Sequence, residues 1–266
     1  MIEERKKLIL GMKGDIFKLQ KEFSEKMNVR IKEGDSRNLV TDADTEIEKY
    51  LMGKINGKFP EDKIIGEEFG TSYEGGNGFE WYLDPIDGTA YFASGFDQYG
   101  TSVGLVLNGK IVFGAIFYAE DQKTYWAENG RGAFCEDERI YCKSKKNKLS
   151  EFLVFSGLNY ETEKASKEFD TLKGIYSKVK NIRVFGPCVA NLIYVAKGKI
   201  DAYWEPHEGL SPHDFSAGAL IVKEAGGFVS NENPSEFIDI KHGQLFASNG
   251  IIHKEFVELI KKYREI

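Results

Sequence analysis

The order of strand-like and helical segments changes at the Lys-rich segment 143–148, and this change most constrains the fold. Before it, apolar strand-like runs are joined by the turn signals Asn108-Gly109 and Asn129-Gly130, which favour β-hairpins. After it, strand-like and helical segments alternate, a pattern typical of α/β layers. The sequence therefore predicts an antiparallel sheet in the first half and a mixed sheet in the second.

Apolar periodicity supplies the elements of the first half. Side chains at helical spacing from Leu8 to Met27 predict one long amphipathic helix, and Ile47, Leu51 and Ile55 predict a second that Pro60 ends. The predicted strands are Lys63–Gly66, Phe79–Leu83, 99–107, 111–118 and 124–127. The first half is therefore predicted to consist of two helices on an antiparallel sheet.

In the second half, strands and helices are predicted in turn. The segments are 152–156, 162–178, 182–185, 189–196, 201–204, 215–225, Leu245–Ser248 and a terminal helix. We divide the chain into an α+β half, 1–145, and an α/β half, 146–266. The sequence has no internal repeat, so we expect the halves to form one compact unit.

Composition restricts the function classes. The chain has 266 residues, a formal net charge of −6 and a pI of about 5.5, which disfavours a nucleic-acid partner. No apolar run approaches the ~20 residues of a membrane span, and no signal peptide is indicated. The three cysteines lack CxxC spacing. We therefore expect a cytoplasmic protein with reduced thiols.

The segment 84–89, with the sequence DPIDGT, follows a predicted strand and contains two carboxylates. Pro85 favours an extended Asp84, so the carboxylates of Asp84 and Asp87 and the Ile86 carbonyl can converge. Such an all-oxygen set suits Mg²⁺. Gly88 and the residue after it would begin a helix whose N–H groups favour an anion. The alternative is an ordinary turn with an Asp N-cap.

A second acidic motif, Gly66-Glu67-Glu68, ends the preceding predicted strand. A hairpin between the two strands would place Glu67 beside Asp84. Crowded carboxylates repel one another by several kcal/mol unless a cation lies among them. The two motifs together therefore predict a metal site.

These motifs resemble those of the inositol monophosphatase family, lithium-sensitive Mg²⁺-dependent phosphatases of the fructose-1,6-bisphosphatase-like fold. The similar segments run in order along nearly the whole chain: LVT at 39–41 with Asp44, GEE at 66–68, DPIDGT at 84–89, GRGAF at 130–134 and PHDFSAG at 212–218. The resemblance implies an αβαβα sandwich, a magnesium-dependent phosphatase and a homodimer.

The resemblance also implies roles for particular residues. One Mg²⁺ would be bound by Glu67, Asp84 and the Ile86 carbonyl, a second by Asp84, Asp87 and Asp214, and a third, looser ion would lie near Glu67. From the residues alone, Asp214 can equally be an acid in the first turn of a helix.

The water and phosphate contacts follow from the same resemblance. Asp44 and Thr89 would orient and deprotonate the attacking water, and the amides of Gly88 and Thr89 would receive the phosphate. Asp44 also has a structural interpretation, as an N-cap or first-turn acid of the second helix.

On the substrate side, the chain departs from the family pattern. His213 stands where the family usually has Trp, and Tyr91 where it usually has Asn. The substrate-contacting turn reads Gly186-Pro187-Cys188 and lacks its usual hydroxyl. Glu205 is the predicted substrate-side acid.

Other positions on that side are less clear in the sequence. Glu208 competes with the predicted acid because two residues are inserted, and Lys32 is a candidate cation-site residue. We expect His213 to pack or hydrogen-bond as a neutral ring, and His207, His242 and His253 to lie on the surface.

The predicted function is Mg²⁺-dependent hydrolysis of a small polyol or sugar phosphate, with inositol monophosphate first and two to three Mg²⁺ ions. Fructose-1,6-bisphosphate, 3'-phosphoadenosine 5'-phosphate and histidinol phosphate are alternative substrates. The alternative from another class is a non-catalytic sensor of metal and phosphometabolite. Retention of both Asp44 and Thr89 argues against the sensor, because binding alone needs no pair that activates water.

Overall fold

A computed structural model of the chain describes residues 1–26, 29–31, 39–159, 161–207, 210–238, 240 and 243–264. The helices are α1 (Ile2–Gly11), α2 (Lys13–Glu25), α3 (Asp42–Lys58), α4 (Thr89–Ala93), α5 (Thr162–Tyr176), α6 (Cys188–Ala196), α7 (Pro212–Glu224) and α8 (His253–Arg264). The strands are β1 (Val29–Ile31), β2 (Leu39–Thr41), β3 (Lys63–Gly66), β4 (Gly70–Tyr73), β5 (Phe79–Asp87), β6 (Gly100–Leu107), β7 (Lys110–Tyr118), β8 (Lys123–Glu128), β9 (Gly132–Cys135), β10 (Glu138–Ile140), β11 (Leu153–Ser156), β12 (Asn181–Val184), β13 (Ala202–Glu205), β14 (Phe228–Ser230) and β15 (Leu245–Ser248).

The elements stack in five layers. Helices α1 to α3 cover one face of a sheet ordered β10-β9-β8-β7-β6-β5-β3-β4, with Trp81 and Phe113 in the core between them. Helices α6 and α7 fill the space between this sheet and a second one, ordered β12-β11-β13-β15-β14. Helices α5 and α8 cover the outer face of the second sheet around Trp204 and Phe246. The αβαβα prediction is confirmed.

The pairing of β3 with β5 differs from the expected hairpin. The two strands are parallel, with Gly66 opposite Leu83, because β4 lies between them in sequence and pairs with β3 on its other side. The loop predicted at 71–78 thus contains a strand. The other pairs of the first sheet are antiparallel, and the second sheet is mixed, with β11 parallel to β12 and β13.

The predicted first helix is two helices. The break falls at Met12, between Gly11 and Gly14, the two residues of this segment with the weakest helix propensity. The apolar periodicity continues across the break because both helices pack on the same core, with Ile9 and Ile16 fully buried. Periodicity reported the buried face correctly but not the interruption.

The middle layer joins the two parts of the chain. Side chains of α6 and α7 form one apolar cluster with residues of both sheets, including Ile116 of β7 and Tyr203 of β13. The division into 1–145 and 146–266 stays a prediction. Within the described residues, no helix has the length and apolar character that a bilayer-spanning segment requires.

Candidate active site

A cavity of about 520 Å³ lies where β5, α4, α6 and α7 meet. Apart from Asp44 and the two candidates outside the described residues, Glu208 and Lys32, every predicted site residue lines it: Glu67, Asp84, Ile86, Asp87, Gly88, Thr89, Gly186, Glu205 and Asp214. Side chains distant in sequence are thus brought to one place, as the motifs predicted. Their roles in catalysis and binding stay predictions.

A β-bulge shapes the DPIDGT motif. Asp84 pairs with Ser102 and Asp87 with Gly100, so the β5 side has one more residue than the β6 side. In a regular strand, residues three apart point to opposite faces, and the extra residue lets both carboxylates face the cavity. Pro85 fits here because a bulge tolerates a residue without an N–H group. The motif is a bulged strand end, and the turn interpretation is wrong.

Asp84 is the most enclosed carboxylate of the cavity, at 1% exposure. Within the described residues, its Oδ1 atom has no hydrogen-bond partner. Burial, followed by the charges of Glu67, Asp87, Asp214 and Asp44, raises the pKa of Asp84 well above its usual range. A buried, acceptor-only oxygen among other carboxylates fits a divalent cation.

Asp87 connects this motif to the second half of the chain. Its Oδ2 atom accepts a hydrogen bond of 2.5 Å from the N–H of Val189 in the first turn of α6. Burial raises the pKa of Asp87, and the charges of Asp214 and Glu67 add to the effect, while the bond from Val189 opposes it. Pro187, the N-cap residue of α6, makes no side-chain cap. Asp87 therefore satisfies an orphan donor of a helix that begins about a hundred residues later.

Asp214 occupies the third position of α7 and forms a capping box with Ser211. The N–H of Ser211 donates to Asp214 Oδ2 at 2.6 Å. The other oxygen, Oδ1, lies 3.6 Å from His213 Nε2. Both Asp214 and His213 line the cavity.

Asp44 holds the same position in α3. Its Oδ2 atom accepts hydrogen bonds from the Thr41 N–H at 2.7 Å and the Thr41 hydroxyl at 2.6 Å. Its Oδ1 atom lies 3.4 Å from the Thr89 hydroxyl, which also donates to the Ile86 carbonyl at 3.0 Å. Burial raises the pKa of Asp44 to about 6, although its bonds with Thr41 lower it. The predicted Asp44–Thr89 pair is therefore present.

Glu67 reaches the cavity through the parallel β3–β5 pair. Its N–H donates to the Leu83 carbonyl at 3.0 Å, which brings it beside Asp84. The next two amides bond to Glu48, a buried residue of α3 that the sequence analysis did not single out. Burial raises the pKa of Glu48 to about 7, and those two bonds lower it. The signal available for Glu48 in the sequence was a charged residue on the buried face of a helix, four residues after Asp44.

Gly88 lies where the chain leaves β5, with φ of +99°. A Cβ atom there would lie 2.5 Å from Pro187 Cγ, so only glycine allows α6 to pack this closely. The helix that follows, α4, has only five residues. Its dipole is correspondingly small, and any phosphate contact rests on the amides of Gly88 and Thr89 themselves.

On the substrate side, Tyr91 changes the contacts of the turn at 186–188. The N–H of Gly186 donates to the Tyr91 hydroxyl at 2.9 Å, and its carbonyl accepts from the Asn191 side chain at 3.0 Å. Both backbone groups of Gly186 therefore have protein partners. Pro187 stands where the family usually has the hydroxyl residue, and it lines the cavity together with the buried Cys188.

Glu205 is buried at the end of β13 and faces the cavity. It accepts hydrogen bonds from the Tyr203 hydroxyl at 2.5 Å and the His207 N–H at 3.4 Å. Burial raises the pKa of Glu205 to about 7, while those bonds oppose the change. Its carboxyl group can thus both accept and donate hydrogen bonds near neutral pH. Glu208 and Lys32 lie outside the described residues.

Two predicted surface histidines lie elsewhere. His207 is partly buried and lines the cavity. His253 is 4% exposed, with its ring between Ser230 and Ser248, so the surface prediction is wrong for it. His242 lies outside the described residues. The three cysteines are free, as expected.

The donor set suits a hard cation that keeps part of its water shell. Within the described residues, no group of three or more His, Cys, Asp or Glu side chains is gathered closely enough to hold a metal ion by itself. Mg²⁺ usually binds through one or two carboxylates, several waters and substrate phosphate, so it does not require such a cage. Asp84 and its neighbouring carboxylates fit that manner of binding.

Comparisons with known proteins agree with the fold and the acidic cavity. The model of the inositol monophosphatase family matches residues 12–265. An inositol-1-monophosphatase of Mesorhizobium japonicum is 29% identical over 245 residues, 92% of this chain and 91% of that protein. A Thermotoga maritima protein named fructose-1,6-bisphosphatase/inositol-1-monophosphatase is 32% identical, covering 90% of this chain and 88% of its own.

A solved structure shows the same architecture. The extragenic suppressor protein suhB of Bartonella henselae superposes with a TM-score of 0.85 at 25% identity, covering 97% of this chain and 99% of that one. Fold, cavity and similarities define a phosphatase of the αβαβα layered class. More particularly, the chain belongs to the inositol monophosphatase family.

Proposed function

We propose that this phosphatase hydrolyses a small polyol or sugar monophosphate, with inositol monophosphate as the preferred substrate, and that it requires Mg²⁺. The observation that carries the proposal is the buried Asp84, which has an oxygen without a partner among the described residues and lines a cavity together with Glu67, Asp87 and Asp214. Relatives named inositol-1-monophosphatase support the substrate.

The residues that would hold Mg²⁺ are the acids that line the cavity around Asp84, together with one backbone oxygen: Glu67, Asp84, Asp87, Asp214 and the carbonyl of Ile86. When bound, the ion lowers the pKa of a coordinated water and neutralises phosphate oxygens. The count of two to three ions is part of the proposal. A neighbour of the same fold, 22% identical, was solved with Mg²⁺ and phosphate, which supports the choice of ion only through the shared fold.

The remaining residues orient the reactants. Asp44 Oδ1 and the Thr89 hydroxyl stand 3.4 Å apart, and together they hold the attacking water and receive its proton. The amides of Gly88 and Thr89 bind the phosphate. Glu205 hydrogen-bonds to hydroxyl groups of the leaving alcohol, for which a carboxyl group of pKa about 7 is suited.

Fructose-1,6-bisphosphate is the second candidate substrate, because two of the relatives carry both activities in their names. Release of inorganic phosphate should be measured from inositol 1-phosphate, fructose-1,6-bisphosphate, 3'-phosphoadenosine 5'-phosphate and histidinol phosphate, with Mg²⁺ and with a chelator. We expect the highest kcat/KM with inositol 1-phosphate and no turnover without Mg²⁺. Binding of these esters without phosphate release would instead support the sensor.

A single substitution tests the site. Asp87→Asn keeps an oxygen that can accept the Val189 N–H but removes a charge, and we expect turnover to fall by about two to three orders of magnitude with the fold retained. Asp97→Asn, at an exposed position, is the matched control and should be fully active. Near-normal turnover in Asp87→Asn would contradict the proposed site. Lithium inhibition, a homodimer and a cytoplasmic location remain predictions from the family resemblance.

A further inference from the structure

Helix α3 carries a second buried carboxylate one turn after Asp44. Glu48 is fully buried, at 0% exposure, like Ile47 and Leu51 of the same helix, which pack in the core against the first sheet. Burying a carboxylate is costly unless its oxygens are hydrogen-bonded. The partners of Glu48 therefore indicate why the residue is an acid.

Both oxygens of Glu48 bond to the backbone immediately after Glu67. Oε2 accepts a hydrogen bond from the N–H of Glu68 at 3.0 Å, and Oε1 accepts one from the N–H of Phe69 at 2.9 Å. These two bonds supply the compensation that a buried carboxyl group requires. Since the N–H of Glu67 itself donates to the Leu83 carbonyl, three consecutive amides are fixed at this point.

Gly66, the residue before Glu67, leaves room for the Glu48 side chain. A Cβ atom on Gly66 would lie 2.0 Å from Glu48 Oε1 and 2.3 Å from its Cδ. No side chain at position 66 is therefore compatible with the present position of Glu48. Glu48 on α3 and Gly66 at the end of β3 therefore fit together sterically at the turn that follows β3.

We propose that Glu48 is a positioning residue that holds the 67–69 backbone so that the Glu67 carboxylate is presented to Mg²⁺. This inference rests on the proposed function, because Glu67 is a metal ligand only there. Glu48 does not line the cavity and acts through the backbone. It also fixes Glu67 relative to Asp44, since Glu48 and Asp44 belong to the same helix.

The test compares Mg²⁺ affinity in matched variants. Glu48→Gln keeps the shape of the side chain, but its amide group can accept from only one of the two N–H groups and turns a donor towards the other. We expect Mg²⁺ binding measured by calorimetry to weaken about 10-fold or more, the scale seen when groups that orient metal ligands are lost. The kcat should recover at high Mg²⁺, which a general loss of stability would not produce.

Asp201→Asn is the matched control. Asp201 is also a buried acid that accepts a backbone N–H, from Leu153 at 2.8 Å, but it does not line the cavity. It should lower thermal stability without changing Mg²⁺ affinity. Gly66→Ala provides a second test, because the added methyl group displaces Glu48. If Glu48→Gln does not fold, Gly66→Ala is used in its place.

The outcomes separate the two proposals. Unchanged Mg²⁺ affinity in Glu48→Gln, or an equal loss in Asp201→Asn, overturns the positioning role while an active parent leaves the proposed function intact. A parent that binds Mg²⁺ but releases no phosphate refutes the proposed function, and the calorimetric comparison still decides on Glu48. A parent that binds no Mg²⁺ refutes both.

Discussion

Helices α3 and α7 begin in the same way but use their capping acids differently. In each, a hydroxyl residue at the N-cap and an aspartate at the third position form a capping box, Thr41 with Asp44 and Ser211 with Asp214. Asp44 is fully buried and its remaining oxygen faces the Thr89 hydroxyl. The Asp214 side chain is 22% exposed and forms part of the cavity wall.

The comparison shows that capping and a place at the site are compatible. A carboxylate has two oxygens, and in both helices one accepts the N-cap N–H while the other points away from the box. The first-turn interpretation that the sequence left open is thus confirmed for both residues, without excluding the proposed roles. Because Asp214 lines the cavity and Asp44 faces the Thr89 hydroxyl, we expect Asp214 to contribute to Mg²⁺ binding and Asp44 to the handling of water.

The largest effect is expected from Asp214→Asn. An asparagine oxygen can still accept the Ser211 N–H, so the helix start should persist, but the charge on the cavity wall is lost. We expect kcat/KM to fall about 10³-fold and the Mg²⁺ concentration for half-maximal activity to rise. Phosphate release as a function of Mg²⁺, with circular dichroism to verify folding, measures both. An unchanged Mg²⁺ requirement would remove Asp214 from the metal site.

Asp44→Asn should have a smaller effect of another kind. The amide oxygen can still accept from Thr41, while the group that receives the proton is lost, so we expect kcat to fall about 10²-fold. Calorimetric Mg²⁺ affinity should stay near that of the parent. Glu46→Gln, an exposed acid in the same helical turn, controls for charge alone. If Asp44→Asn weakened Mg²⁺ binding as much as Asp214→Asn, the distinction between the two helices would fail.

The sequence predicted the members of the site better than the contacts that position them. Asp84 and Asp87 were recognisable because a short motif contains the ligand types, a proline and a glycine. The bulge that turns both carboxylates to one face was not, since it depends on pairing with β6. Similarly, the expected hairpin placed Glu67 beside Asp84 correctly but by the wrong geometry, because the short strand β4 reads as a Gly-rich loop.

Contacts between distant segments account for what the sequence did not predict. Tyr91 was noted only as a departure from the family, yet its hydroxyl accepts the Gly186 N–H from 95 positions away. Glu48 is an acid on the apolar face of α3, which is a visible anomaly in the sequence. Its hydrogen-bond partners, however, follow only from the placement of β3 against α3. Polar residues buried by tertiary contacts look like surface residues in a sequence, and His253 was misassigned for this reason.

His253 is the first residue of another helix, α8, whose described residues do not line the cavity. Its Nε2 and Nδ1 atoms lie 2.8 Å from the hydroxyls of Ser230 and Ser248 respectively. The Ser230 hydroxyl donates to the Asn231 carbonyl, so it accepts from Nε2–H, and Nδ1 accepts from Ser248. The ring is therefore held neutral, and burial lowers the pKa of His253 to about 4.

This helix start should affect stability alone, and the pH dependence of its contribution should appear only in acid. Above pH 6.5 the ring is neutral in both folded and unfolded chains, so its full contribution is present. Between pH 6.5 and 4 the unfolded chain binds a proton that the folded chain does not, and the free energy of unfolding should fall by up to about 3 kcal/mol. Urea denaturation across this range, for the parent and His253→Gln, isolates the effect from that of the carboxylates. The variant should be less stable at pH 7 but lose less on acidification; parallel pH profiles would show that His253 is not held neutral.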